Sequence, residues 1–140
     1  MTALNKDRTT PQRAADLVAD PLAAGVVIFA GSMYVLDGLG NATPATADAA
    51  KPVRAVARKR SVQAEGDEQC DGAIGCFRFD NSEGGTAITR VHIGANAFAI
   101  DDQTVANAGT CIAGVILDVD EQGVWVRIGT RVPVEAGLAP

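Results

Sequence analysis

The sequence predicts an all-β fold: a compact β-barrel or sandwich of short antiparallel strands, preceded by an extended N-terminal arm. Three observations predict it. β-Branched and aromatic residues cluster in short runs, such as Val26–Phe29 and Val124–Ile128. Fifteen Gly and six Pro in 140 residues punctuate the chain between those runs, as turns require. No stretch carries a long apolar stripe at helical spacing. The length suits one domain, and a chain of this size buries about 68–70% of its unfolded surface, enough for a core without staples. No repeat recurs at a fixed period. The expected organisation is an arm over 1–20, a β domain over 21–130 and a tail over 131–140.

The arm mixes Lys6, Arg8 and Arg13 with Asp7, Asp16 and Asp20 and has few large apolar groups. Pro11–Val18 suits two helical turns, with Thr10 as N-cap and Pro11 at the first helical position. Two turns alone are marginal in water, so the arm is expected to order only on a partner. Leu22–Leu36 is apolar but broken by Gly25, Gly31 and Ser32. It falls short of the roughly 20 residues a spanning helix needs and reads as one or two buried strands bent at Gly31. No membrane attachment is expected. Asp37–Asn41 is turn chemistry, and Ala42–Ala50, with nothing large to bury, reads as a loop.

Pro52–Val62 alternates weakly. As a strand it places Arg54, Val56, Arg58, Arg60 and Val62 on one face. Glu65–Glu68 is an acidic loop. Gly72–Asp80 reads as the next strand, with a slip at Gly75, and Asn81–Gly85 as a turn. Ile88–Ile93 reads as one helical turn ending at Gly94, Ala97–Asp101 and Thr104–Ala106 as short strands. In Val115–Asp120 the alternation predicts Val115, Leu117 and Val119 inward and Ile116 outward. Glu121-Gln122-Gly123 then forms a three-residue hairpin loop into Val124–Ile128. There Val124, Val126 and Ile128 face inward and Trp125 outward. Trp125, Ile116 and Tyr34 are thus expected on faces that the chain's own core does not cover. Thr130–Pro140 is expected to fray.

The chemistry-bearing residues form no recognisable active site. Cys70, Cys76 and Cys111 lack C-x-x-C spacing, and His92 is the only histidine, so free, mostly buried thiols are expected rather than a zinc site. A Cys70–Cys76 bridge is the alternative. Asp118-x-Asp120-x-Gln122-Gly123 opens like a calcium loop, but its twelfth position is Gly129 where a bidentate Glu is needed. Asp101-Asp102 reads as a solvated turn, and His92 as a surface or capping residue. No phosphate-binding glycine loop and no nucleophile elbow occurs. The chain is read as no enzyme, with no catalytic, metal or cofactor-binding residue and no cofactor. Net charge is −5 and aromatics are 4%, which disfavours nucleic acid as partner. The one basic run, Arg54–Arg60, reads as a solvated face, a protein contact or, least favoured, a phosphate stripe.

Several strings, in order along nearly the whole chain, resemble the capsid decoration (cement) proteins of tailed bacteriophages of Mu-like and siphovirus type. They are Thr10-Pro11-Gln12-Arg13 with Asp20–Gly25, Val27–Gly31 with Val35–Asp37, Gly75–Ser82, Ile93-Gly94, Asp101–Ala106, and Ala113-Gly114 leading to Asp118–Asp120 and Gly123–Val126. The cysteines, and a short stretch before Cys111, depart from it. The resemblance implies a structural virion protein, made in the bacterial host cytoplasm, that binds the major capsid protein between capsomers on the outer head surface, as a homotrimer. Its expected capsid or subunit contacts are Arg8, Arg13, Leu17, Val18, Arg54, Arg58, Arg60 and Trp125. The alternatives are a nucleic-acid-associated accessory protein using Arg54–Arg60, or a small surface carbohydrate-binding module.

Overall fold

A computed structural model describes residues 2–129, and the expected tail 131–140 lies outside the described residues. The described residues form twelve short strands: β1 (Leu17–Pro21), β2 (Val27–Ile28), β3 (Met33–Leu36), β4 (Ala42–Pro44), β5 (Ala55–Ala57), β6 (Ser61–Val62), β7 (Gln69–Ala73), β8 (Cys76–Asn81), β9 (Asn96–Ala99), β10 (Thr104–Ala106), β11 (Ile112–Asp120) and β12 (Gly123–Ile128). Short 3₁₀ turns at Gln63–Glu65, Gly84–Thr86 and Arg90–His92 are the helical elements among them. The all-β expectation holds.

Five strands close into a barrel in the order β10-β8-β12-β11-β9, and five more form a sheet in the order β1-β7-β5-β3-β4. Strands β2 and β6 pair separately. Neighbours are antiparallel except β8 and β10, which pair in parallel through Asp80 with Thr104 and Asn81 with Val105. A parallel bridge from Leu22, just past β1, to Ala42 of β4 partly covers the far edge of the sheet.

Two cores follow. One combines barrel residues such as Phe79, Ala97, Val105, Ile116, Val124 and Val126 with Met33, Val35 and Val56 of the sheet. The other, on the opposite face of the sheet, holds Leu22, Ile28, Tyr34, Ala42, Ala55, Ala57 and Cys70. Strands β3 and β5 therefore bury both faces, which is why Met33–Val35 and Ala55–Ala57 read as unbroken apolar runs. A five-stranded barrel is narrow, so its lining mixes β-branched residues with Ala97, Ala99 and Ala113. At Gly114 a Cβ would overlap the Arg127 carbonyl oxygen, so only glycine lets β11 approach β12 there.

Several sequence expectations are corrected. No helix forms over Pro11–Val18; Leu17 and Val18 belong to β1, which pairs residue by residue with β7. The arm thus ends at Asp16, because sheet hydrogen bonds outweigh two turns of unsupported helix. Ala42–Pro44 is a strand, since Ala42 is small enough to be wholly buried beneath Leu22. The 72–80 strand is two strands separated at Ile74-Gly75, with β7 in the sheet and β8 in the barrel. The hairpin turn is Glu121-Gln122, because Gly123 already pairs with Asp120. In β11 the register shifts between Ile116 and Asp118, so Leu117 is the extra residue of a bulge. Ile116 is buried and Leu117 exposed, the reverse of the alternation's assignment. Tyr34 is buried as well, inside the second core.

Candidate interaction surface

Residues 2–16 carry no regular secondary structure and are exposed throughout. Arg8 and Arg13 are among them, as is Leu4. The arm's root, in contrast, is held firmly. The Asp16 carbonyl accepts a hydrogen bond from Ile74 N–H at 2.9 Å, and β1 then runs in register with β7 from Leu17–Ala73 to Pro21–Gln69. Leu17 remains half exposed on the outer face, while Val18 packs against the second core.

Beneath β1 lies a polar lock. The buried Asp20 carboxylate accepts a hydrogen bond from Tyr34 Oη at 2.8 Å and from Arg54 Nε and Nη2 at 3.2–3.3 Å. Burial raises the Tyr34 pKa well above its ordinary value, and the Asp20 carboxylate adds to the rise. The phenol therefore stays a donor at any physiological pH. A buried carboxylate is tolerated only when fully partnered, and Asp20 has both a neutral and a charged donor. Because the β1–β7 bonds lie across the strand direction, a pull along the arm loads them together.

The basic run does not form one stripe. Its central residues Ala55–Ala57 are buried on both sides, and the chain bends at Arg58–Lys59. Arg54 is spent on Asp20, and Lys59 Nζ pairs with Asp71 at 3.5 Å. Arg58 is exposed, its backbone N–H bonded to the Asp71 carbonyl. The Arg60 guanidinium sits 5.7 Å from the ring centroid of Phe29. Phe29, expected inside, is exposed because the chain leaves β2 at Ile28 and turns back at Gly31, whose φ is +85°.

Trp125 points outward from the barrel wall, half buried, with the Arg78 guanidinium 5.8 Å from its ring. Arg78 also donates to Gln122 Oε1 at 2.8 Å. Trp125 thus belongs to the barrel, and the structure does not bring it together with the arm root or with Arg54–Arg60. Leu117, adjacent in sequence to Asp118 of the Arg90–Asp118 ion pair, is exposed, as is Val91 next to Arg90.

The remaining polar candidates serve local structure. Asp120 accepts hydrogen bonds from Gln122 N–H, from the Trp125 side chain and from Gly123 N–H, chiefly Gln122, and these hold its carboxyl below the usual range. Asp37 is lowered in the same way by Asn41 and Leu39 N–H. Asp101 accepts from Gln103 N–H, and His92 Nδ1 accepts from Thr89 N–H. Among the described residues no group of three His, Cys, Asp or Glu side chains is placed to hold a metal, and no helix is long and apolar enough to cross a membrane.

All three cysteines are free; Cys70 and Cys111 are buried and Cys76 is exposed. Burial pushes both inner thiols up to about 11. At pH 8 the native protein is therefore expected to react with iodoacetamide at Cys76 only, and at all three positions once denatured, as mass spectrometry of the digested protein will read. Prompt native labelling of Cys70 contradicts the packing of the second core.

The lock escaped sequence reading. In a strand Asp20 shares a face with Val18, but only the pairing with β7 shows that 17–21 is a strand. That the partners are Tyr34 and Arg54 depends on sheet order alone. Comparison with protein-family models, curated proteins and solved structures finds no match to this chain.

Proposed function

We propose that this protein is a structural component of a tailed-phage head: a non-enzymatic decoration protein that binds the major capsid protein on the outer shell between capsomers and resists shell rupture, acting as a homotrimer. The observation that carries this reading is the pairing of an exposed fifteen-residue arm, 2–16, with a root locked by Asp20, Tyr34 and Arg54. A clamp needs both parts. The free arm supplies contact area that orders on binding. The lock passes tension into a body with two cores instead of peeling β1 away. A protein that binds the assembled shell and not its separated subunits stabilises the shell by linkage. The nucleic-acid alternative gains no support from a basic run whose Arg54 and Lys59 are already paired with Asp20 and Asp71.

Deleting 2–16 tests the reading. Strand β1 remains, so circular dichroism is expected to keep its β signal, while co-sedimentation with phage heads weakens at least about tenfold, the loss of some 1.4 kcal/mol. Unchanged co-sedimentation removes the arm from the mechanism. Deleting 1–20 is a different experiment: it strips β1 and leaves the Tyr34 hydroxyl without its acceptor, so it is expected to damage the fold itself.

A further inference from the structure

A groove runs along the seam where the barrel meets the sheet. Its first part, about 270 Å³, is lined chiefly by apolar side chains: Leu36 at the end of β3, Pro52 and Val53 before β5, and Ile74 in the link from β7 to β8. Its second part, about 290 Å³, lies against Thr43, Pro44 and Ala49. Leu36 and Lys51 line both parts, so the two are continuous. Hydrogen bonds fix the seam at two points. Val53 N–H donates to the Ile112 carbonyl of β11 at 2.8 Å, and Ile128 N–H donates to the Gly75 carbonyl at 2.8 Å. The groove is therefore preformed.

The chain itself leads into this groove. Gly129, the last described residue, lines its first part beside Ile74. Its φ is +91°, and a Cβ there would lie 2.6 Å from Ile74 Cγ2, so only glycine lets the chain leave β12 this close to the groove wall. After Thr130 the sequence reads Arg131-Val132-Pro133-Val134-Glu135. Pro133 disfavours helix at Val132, and both valines favour an extended chain. In such a chain Val132 and Val134 share one face, and Arg131 and Glu135 the other. We propose that residues 130–135 run as a strap along the groove of their own copy, Val132 in the first part, Val134 in the second, and Glu135 at the rim beside Lys51. Lys51 is exposed and has no ion-pair partner among the described residues. The tether selects the occupant: a segment attached at Gly129 meets the groove at an effective concentration of the order of millimolar. Six extended residues reach about 20 Å, enough to pass from one part into the next. Seated there, the strap ties the barrel to the sheet. It concerns the free protein and holds or fails independently of any shell.

Methyl NMR of the full-length chain tests it. Nuclear Overhauser contacts are expected from Val132 to Ile74 and from Val134 to Leu36. Val132→Ser with Val134→Ser is expected to shift the Leu36, Val53 and Ile74 resonances while circular dichroism stays unchanged. Trypsin cleavage at the Arg131–Val132 bond, followed by mass spectrometry, gives a second measure. Lys51→Glu is expected to speed that cleavage severalfold, and Lys51→Glu with Glu135→Lys to return it to the wild-type rate. Val132 and Val134 methyls without contacts to the groove overturn the proposal. So do contacts that run between copies in a mixture of differently labelled chains, and cleavage that Lys51→Glu leaves unchanged or that the charge swap does not slow again.

Discussion

Replacing Val126 with Asp is expected to abolish folding at neutral pH. Val126 is wholly buried in the barrel, and its paired neighbour Ile116 is buried too. A carboxylate there has no partner, and an uncompensated buried charge costs several kcal/mol, a large part of the roughly 5–15 kcal/mol that holds a domain together. The sign of the pH dependence follows. Burial raises the folded-state pKa of the new carboxyl above its unfolded value of about 3.9. The penalty relative to wild type is then smallest near pH 4, where the neutral form is buried, and grows as pH rises. Thermal melts from pH 4 upward should show the variant losing ground against the wild type until no transition remains near neutral pH. Trp125→Ala, one position earlier and facing outward beneath Arg78, is expected to cost only about 1 kcal/mol, the loss of a half-exposed ring and its cation–π contact. Equal damage from both substitutions means the wall of the barrel is assigned the wrong way round.

The second large effect is expected from a single methyl group. Tyr34 starts on β3 and reaches across β5 and β7 to Asp20 on β1. Gly72, in β7, lies beside that path. A Cβ there would overlap Tyr34 Oη and lie 2.8 Å from Ala55 Cβ, so Gly72→Ala must displace the ring or spread the strands. Overpacking costs about 1–3 kcal/mol, and pulling the hydroxyl off Asp20 leaves a buried donor unpaired for about 1–3 kcal/mol more. A combined loss of about 3 kcal/mol should lower the melting temperature by roughly 10 °C at this chain length. The companion Tyr34→Phe removes the overlapping oxygen. The double variant is therefore expected to be more stable than Gly72→Ala alone, despite carrying two changes. Strict additivity of the two losses refutes the steric account.

Much of the fold is legible in the sequence. The hairpin of β11 and β12 shows in Val124, Val126 and Ile128 alternating with Trp125 and Arg127, behind a turn closed by Gly123. The bend at Gly31 and the 3₁₀ turn ending at Gly94 show in glycines that take positive φ. These features depend on neighbours in sequence, and local propensity reports them. The arm shows in its shortage of large apolar groups, although its boundary does not: Leu17–Asp20 looks no different from the residues before it until β7 is placed alongside.

What the tertiary structure alone decided concerns faces and partners. Alternation assigns a strand one buried side, but β3 and β5 lie between two cores, so Tyr34 is buried and Ala55–Ala57 has no outer face. Alternation also assumes an unbroken register, and the bulge at Leu117 shifts the phase that had put Ile116 outside. The basic run looked continuous because its charges are adjacent in sequence. Folding delivered Arg54 to Asp20, Lys59 to Asp71 and Arg60 to Phe29, and no spacing rule carries those long-range choices. The sequence by itself therefore determined an all-β body of short strands with a polar arm. Sheet order determined which polar groups lock that arm in place, because a buried carboxylate must take its partners from whichever strands close around it.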